Sequence, residues 1–389
     1  MTGTSAPRTT APRPLDGITV ISLEQAVAAP FASRQLSDLG ARVIKIERDA
    51  GDFARAYDTT VHGEASYFVW INRNKESVVL DLKSEAGITA LRALVAKADV
   101  FIQNLAPGAI ERLGLGPAEA TALNPQLIYV SISGYGRGGE YEQKKAYDLL
   151  VQCESGLVSI TGTPEVPSRV GTSVADIAAG TSVADIAAGM YAYSGVLSAL
   201  IQRGRTGKGD VLEISMLEAL GEWMMQPYLY AQYGGTPQAR SGGQHATIAP
   251  YGPFNTSDGT VFFSIQNERE WVKFCDVVLR DASVATDPRF DAGTQRVANR
   301  PALHDVINAV FSTLTVTQAI ARLEEAGVAN AQLRNMLEFS AHPQLAARNR
   351  WREVGLPNGE TARSLIPPVT AESYEPVMGP IPALGADTE

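Results

Sequence analysis

The chain has 389 residues, 45% apolar and 19% charged, the balance of a folded protein with room for two or more domains and a substantial core. With 42 acidic against 33 basic residues the net charge is −9. That excludes nucleic acid as the main partner, because phosphate backbones need a basic footprint, but it leaves open one anionic ligand held by local cations. The only two cysteines, Cys153 and Cys275, and the scattered histidines His62, His245, His304 and His342 have no metal-type spacing. No metal site and no disulfide framework is expected, and a reducing cytoplasm is the expected compartment.

In chain order, residues 1–14 (MTGTSAPRTTAPRP) read as a disordered tail without the apolar core of a signal peptide. No run approaches the ~18 apolar residues of a membrane span. Ile18–Leu23 is β-branched and apolar, a strand. Phe31, Leu36 and Leu39 follow at helical spacing, Gly40 ends that helix, and Val43–Ile46 returns to strand. A helix of that length between two strands implies a parallel crossover. ESVVLDLK, DVFIQNL and QLIYVSISGYG read as further strands, with an amphipathic helix over SEAGITALRALVAKA. Residues 15–135 therefore read as a doubly wound α/β region.

Residues 141–210 read as mostly helical, ending at a GRTGKGD turn. DVLEISMLEALGEWMMQPYLYAQY reads as a strand running into one long helix. The Gly-rich RSGGQHATIAPYGPFNTSDGT marks a boundary, and a smaller α/β unit follows, with a hairpin at Ser257–Asp258–Gly259 and helices over 269–280, 300–313 and 315–326. The expected division is a large domain over 15–225, a small domain with linkers over 226–327, and a C-terminal segment, 328–389, that wraps back over the large domain.

Few residues here can carry chemistry. The turn LEQAVAAPF lacks the G-x-G-x-x-G of a dinucleotide site; GYGRGG at Gly134–Gly139 opens no apolar helix and reads as a flexible loop. GRTGKGD follows a helix, so it reads as a helix C-cap and not a phosphate loop. No G-x-S-x-G elbow occurs. Carboxylates remain. TSVADIAAG occurs twice in succession, giving Asp176 and Asp185, and the second copy leads into a helix, IAAGMYAYSGVLSALIQ. The helix start favours an ionised carboxylate, and the small residues let a bulky ligand approach. On local features alone Asp185 reads as an ordinary N-cap.

LDGITVISLEQ, LGARVIKIER, NRNKESVVLDLK, NLAPGAIERLGLG, SISGYGRGG, AYDLLVQCESGLVSITG, SVADIAAGMYA, RTGKGDVLEISMLEA, PYGPFNTSDG and PALG occur in one order across residues 15–387. In that order they resemble the family III CoA-transferases (CaiB/BaiF family), which include formyl-CoA transferase. The resemblance implies a Rossmann-like large domain completed by the C-terminal tail, a small domain, and an intertwined homodimer. It implies acyl-CoA and carboxylate substrates, with coenzyme A as substrate and no permanently bound cofactor. It also implies one aspartate nucleophile passing through a mixed anhydride and an aspartyl-CoA thioester. By family position Gln25 and Ala26 should line the thioester end. Arg48, Lys75, Arg112 and Lys145 should meet the phosphates or adenine, and Asn104 and Leu105 the pantetheine or nucleotide. Gly242 and Gly243 should form the substrate loop. Arg137 is a further phosphate candidate. "GDFARAYD" and "FVWINRNKESVVLDLK" resemble relatives that act on dicarboxylic acyl groups.

Two other classes stay open. Related α-methylacyl-CoA racemases use a histidine in the segment that reads Ala146–Tyr147–Asp148 here, and a neutral phenol is a poor base near pH 7. An acyl-CoA-binding protein without turnover is the third reading. Between the two aspartates, Ile186, Met190, Tyr193, Leu197 and Leu200 form an apolar stripe behind Asp185 that the first copy lacks. A nine-residue displacement along one helix moves a carboxylate roughly 13 Å and turns it about 180°, so both cannot serve one site. The expectation is Asp185 as nucleophile, with Asp176 the alternative.

Overall fold

The computed structural model describes residues 12–170 and 182–388. Asp176 and the first TSVADIAAG copy lie outside the described residues, as do residues 1–11 of the expected tail. Arg13, expected within that tail, donates its backbone N–H to Asp16 at 2.7 Å.

Six strands form one sheet: β1 (Thr19–Leu23), β2 (Arg42–Glu47), β3 (Lys75–Val79), β4 (Val100–Gln103), β5 (Ile128–Ser133) and β6 (Asp210–Ser215). Their order is β3-β2-β1-β4-β5-β6, and every pairing is parallel. This is the doubly wound order, in which the chain reverses direction across the sheet between β1 and β4. Strand alternation builds two cores. Val20, Val43, Val100, Ile102, Ile128 and Val130 face one side. Ile21, Ile44, Ile46, Phe101 and Tyr129 face the other.

On the first side lie helices α1 (Ala28–Asp38), α2 (Asp148–Glu154) and α3 (Val183–Thr206). Gly207 closes α3 in the left-handed conformation, φ 68°, and its N–H bonds the Arg203 carbonyl at 2.8 Å, as the turn reading expected. The buried face of α3 is not the expected stripe. Ala184, Ala187, Ala188, Gly189, Ala192, Val196 and Ala199 are buried, whereas Met190 is exposed and Ile186, Tyr193, Leu197 and Leu200 are half-buried. The reason is closeness. A Cβ on Gly189 would lie 2.7 Å from the Ala28 carbonyl oxygen and 3.0 Å from the Phe31 ring, so only a face of small residues lets α3 approach α1. The single long helix expected after β6 is two, Met216–Trp223 and Met225–Gly234.

The chain divides into two units. The first comprises the residues through Leu157, Val170–Gln226, and those from Arg348 on; the second comprises Val158–Arg169 and Pro227–Ala347. The second unit holds an antiparallel sheet of β7 (Tyr251–Asn255), β8 (Thr260–Ser264) and β9 (Ala329–Gln332) over a core including Phe254, Phe263, Phe274 and Phe311. β9, expected in the returning tail beyond a small domain ending at residue 327, pairs with β8 instead, and the unit extends to Ala347. In the first unit residues 377–388 close the open edge of β3. The Ser77 N–H donates to Asp387 at 2.9 Å, the Asp387 N–H returns to the Ser77 carbonyl at 3.0 Å, and the Asn74 N–H reaches the Pro380 carbonyl at 2.9 Å.

Candidate active site

In a doubly wound sheet the ligand crevice lies beyond the carboxyl ends of the strands at the reversal point, here β1 and β4. Gln25 and Ala26 leave β1 and Asn104 and Leu105 leave β4, and the two turns are bonded to each other. The Gln25 N–H donates to Asn104 Oδ1 at 2.9 Å, and Asn104 Nδ2 donates to the Gln25 carbonyl at 2.8 Å. The Leu105 N–H is held by Gln103 Oε1 at 2.9 Å. All four residues are half-buried. Arg48 follows β2, Arg112 ends a short helix after β4, and Lys145 lies in the segment after β5. All three are exposed, and among the described residues none pairs with a carboxylate. Arg137 is paired with Glu111 at 3.3 Å.

Lys75 requires a correction. Expected at phosphate or adenine, it is wholly buried. Its Nζ donates to Glu24 Oε1 at 2.6 Å, the Pro30 carbonyl at 3.0 Å and Asn72 Oδ1 at 3.0 Å, which uses all three donors of an ammonium. Burial alone would raise the Glu24 pKa, but Lys75 and Lys45 hold it down to about 2, with Ser22 also donating to the carboxylate. Lys45, Lys75 and Glu24 form a dry ionic layer under the β1 turn. Local pattern gave no sign of it, because the Lys75–Glu24 partners are 51 residues apart.

Asp185 lies within the first turn of α3. It does not cap the helix. That role falls to Asp148, at the start of α2, whose Oδ1 accepts the Ala184 N–H at 2.8 Å while Oδ2 accepts Gln152 Nε2 at 2.7 Å. The capping reading of Asp185 is thereby removed. Among the described residues no donor reaches its carboxylate. Burial, and secondarily the Asp148 charge, push its pKa up to about 7. The Tyr57 phenol is pushed up to about 12 by burial and by the charges of Asp52 and Asp185, so it remains a neutral donor. Tyr147 bears on the same phenol and is 66% exposed. Asp148 and Tyr147 enter the sequence analysis only through the racemase comparison, and Tyr57 only within GDFARAYD, whose resemblance bears on the acyl group and gives the tyrosine no role. Gly242 and Gly243 belong to the second unit. Gly242 is left-handed, φ 61°, and donates its N–H to the Gly162 carbonyl at 2.8 Å. Among the described residues no three His, Cys, Asp or Glu side chains cluster as a metal set.

A doubly wound sheet that reverses between β1 and β4, together with a carboxyl held near neutrality that no donor among the described residues reaches, has the features of an enzyme's site. The family model "CoA-transferase family III" matches residues 15–388, and the chain belongs to that family. It is 37% identical over 339 residues to an acetyl-CoA:oxalate CoA-transferase of Acetobacter aceti, covering 86% of this chain and 85% of that one. It is 32% identical to the succinyl-CoA:glutarate CoA-transferase of Homo sapiens, covering 86% and 74%. A crystal structure of a CaiB/BaiF family protein from Brucella suis superposes with a TM-score of 0.85 at 31% identity, covering 97% of this chain and 98% of that one. The protein is a CoA-transferase.

Proposed function

We propose that the protein moves CoA between short dicarboxylic acids, with Asp185 as the nucleophile. The observation that carries this is the state of Asp185: a half-buried carboxyl that no donor among the described residues reaches, titrating near 7, on the helix that packs against the start of α1 beside the β1 turn. The Asp185 carboxylate attacks the donor thioester carbonyl, and CoA thiolate leaves, forming a mixed anhydride. The thiolate attacks the Asp185 carbonyl and expels the donor carboxylate, leaving an aspartyl-CoA thioester. The acceptor carboxylate attacks that thioester and releases thiolate, giving a second anhydride. The thiolate then attacks the acceptor carbonyl, and Asp185 is regenerated. Each step trades acyl species of similar energy, so a carboxylate suffices. The neutral Tyr57 phenol supplies a donor near the developing charge. The names of the relatives, which transfer CoA to oxalate and glutarate, support dicarboxylic acyl groups. Family membership supports a homodimer in which Arg48, Arg112 and Lys145 meet the CoA phosphates and Gly242 and Gly243 form the substrate loop.

The packing of α3 favours Asp185 over Asp176. Shifting the helix by one repeat would place Val183 where Ala192 is buried and Met190 where Ala199 is buried. Such overpacking costs about 1–3 kcal/mol per site. The test is hydroxylamine trapping during turnover with succinyl-CoA and oxalate or glutarate. Asp176→Asn should retain transfer and trapping, and Asp185→Asn should lose both. Full transfer by Asp185→Asn overturns the assignment; α-proton exchange without transfer would point to the racemase chemistry, and binding without turnover to the binding protein.

A further inference from the structure

Ala26 turns the chain out of β1 at the reversal point with φ 60°. An alanine occupies this left-handed region at a cost of about 1–2 kcal/mol, whereas glycine is indifferent to it. Strain of this kind persists only where the surroundings over-determine it. At Ala26 that constraint centres on Asp52. Asp52 Oδ1 accepts the Ala26 N–H at 3.1 Å and the Ala54 N–H at 2.9 Å. Its Oδ2 accepts Lys45 Nζ at 2.8 Å, in a pair with no solvent exposure. Its own N–H donates to Glu47 Oε2 at 2.9 Å. One buried carboxylate therefore ties together the turn after β1, strand β2, and the 3₁₀ turn Phe53–Ala56 that precedes Tyr57.

We propose that Asp52 is a positioning residue for acyl transfer: it locks Ala26 in its left-handed conformation and so fixes the direction of Gln25 at the β1–β4 crevice. This rests on the reading of Gln25 and Ala26 as the thioester end of the site. The buried charges around it balance, Glu24, Glu47 and Asp52 against Lys45, Lys75 and Arg55. Asp52 and Lys45 can therefore be neutralised together without stranding a charge. The effect should fall on kcat, because the turn acts at the reacting carbonyl while the CoA nucleotide supplies ground-state binding.

Two double variants separate the hydrogen bond from the charge. Lys45→Met with Asp52→Asn keeps an acceptor for the Ala26 N–H; Lys45→Met with Asp52→Leu removes it. The Asn pair should stay within about threefold of wild type in kcat, and the Leu pair should lose at least about tenfold, with KM for acyl-CoA changed less than about threefold. Adding Ala26→Gly to the Leu pair should recover most of that loss, which a general weakening of the fold would not allow. Amide hydrogen exchange over residues 25–28 should quicken in the Leu pair only. If the Leu pair does not fold, Lys45→Met with Asp52→Ala takes its place with the same expectations. Equal kcat for the two pairs, or no recovery with Ala26→Gly, overturns the proposal. Asp185→Asn is assayed alongside. If it transfers CoA, the reading of the site fails, while the exchange rates over 25–28 still decide whether Asp52 holds the turn.

Discussion

Asp185→Asn should make the protein more stable at alkaline pH, by an amount that grows as pH rises. The fold raises the Asp185 pKa from an ordinary 3.8 to about 7, chiefly by burial. The folded state therefore holds this proton more tightly than the unfolded chain. The stabilisation from the protonated carboxyl is fully present below the unfolded value, near 3.8, and is lost as pH rises through about 7. Above that the wild type carries an ionised carboxylate that the fold disfavours, and asparagine removes it. At about 1.4 kcal/mol per pH unit, linkage gives a change of about 2 kcal/mol between pH 5.5 and 8.5. Partial solvent access to a half-buried carboxyl reduces this to about 1 kcal/mol. The assay is native-state hydrogen exchange at the amides of α3, corrected for intrinsic rates, in wild type and variant at both pH values. It reports the unit that contains Asp185. The stability gap, variant minus wild type, should widen toward pH 8.5. A gap that stays constant, or shrinks as pH rises, refutes the burial of Asp185 as the source of its raised pKa. The same variant should be inactive, so stability gained there is function lost.

The rate should report the same group. Since the nucleophile must be ionised, kcat/KM should rise about tenfold per pH unit below about 7 and level off above it. Asp148→Asn keeps an oxygen for the Ala184 N–H but removes the like charge, so that limb should move to lower pH while staying well above 3.8, because burial is the larger cause; an unmoved limb would show that Asp148 does not act on Asp185. Gly189→Ala would set a methyl 2.7 Å from the Ala28 oxygen, and pushing α1 and α3 apart should cost about 1–3 kcal/mol, read by the same exchange measurement. Wild-type protection in α3 would show that the helices have slack.

The alternation of β-branched runs and amphipathic segments made the doubly wound sheet legible, because each crossover needs its own helix and each strand its own apolar run. The hairpin at Asp258–Gly259 and the cap at Gly207 were legible for the same reason: their signals are local. The buried face of α3 was not. Large apolar residues normally mark the core side of a helix, but here α1 comes so close at Gly189 that the buried face is almost all Ala and Gly, and the larger residues flank it. Lys75 differs from the expectation because its acceptors, Glu24 after β1 and Pro30 in α1, lie 51 and 45 residues upstream. Asp185 could be singled out from its place before the helix, but its freedom from capping could not, since the cap is Asp148, 36 residues upstream of Ala184.

The edge of β3 is closed by a partner 310 residues downstream, Asp387 on Ser77. During synthesis, strands β1 to β6 and the whole second unit emerge before that closing segment does. Until it arrives, β3 presents an open row of backbone donors and acceptors on which another chain can dock. The sheet that carries Gln25 at the end of β1 thus keeps an open edge until that segment has been made. The window for misassociation is set by ribosome speed as much as by folding rate.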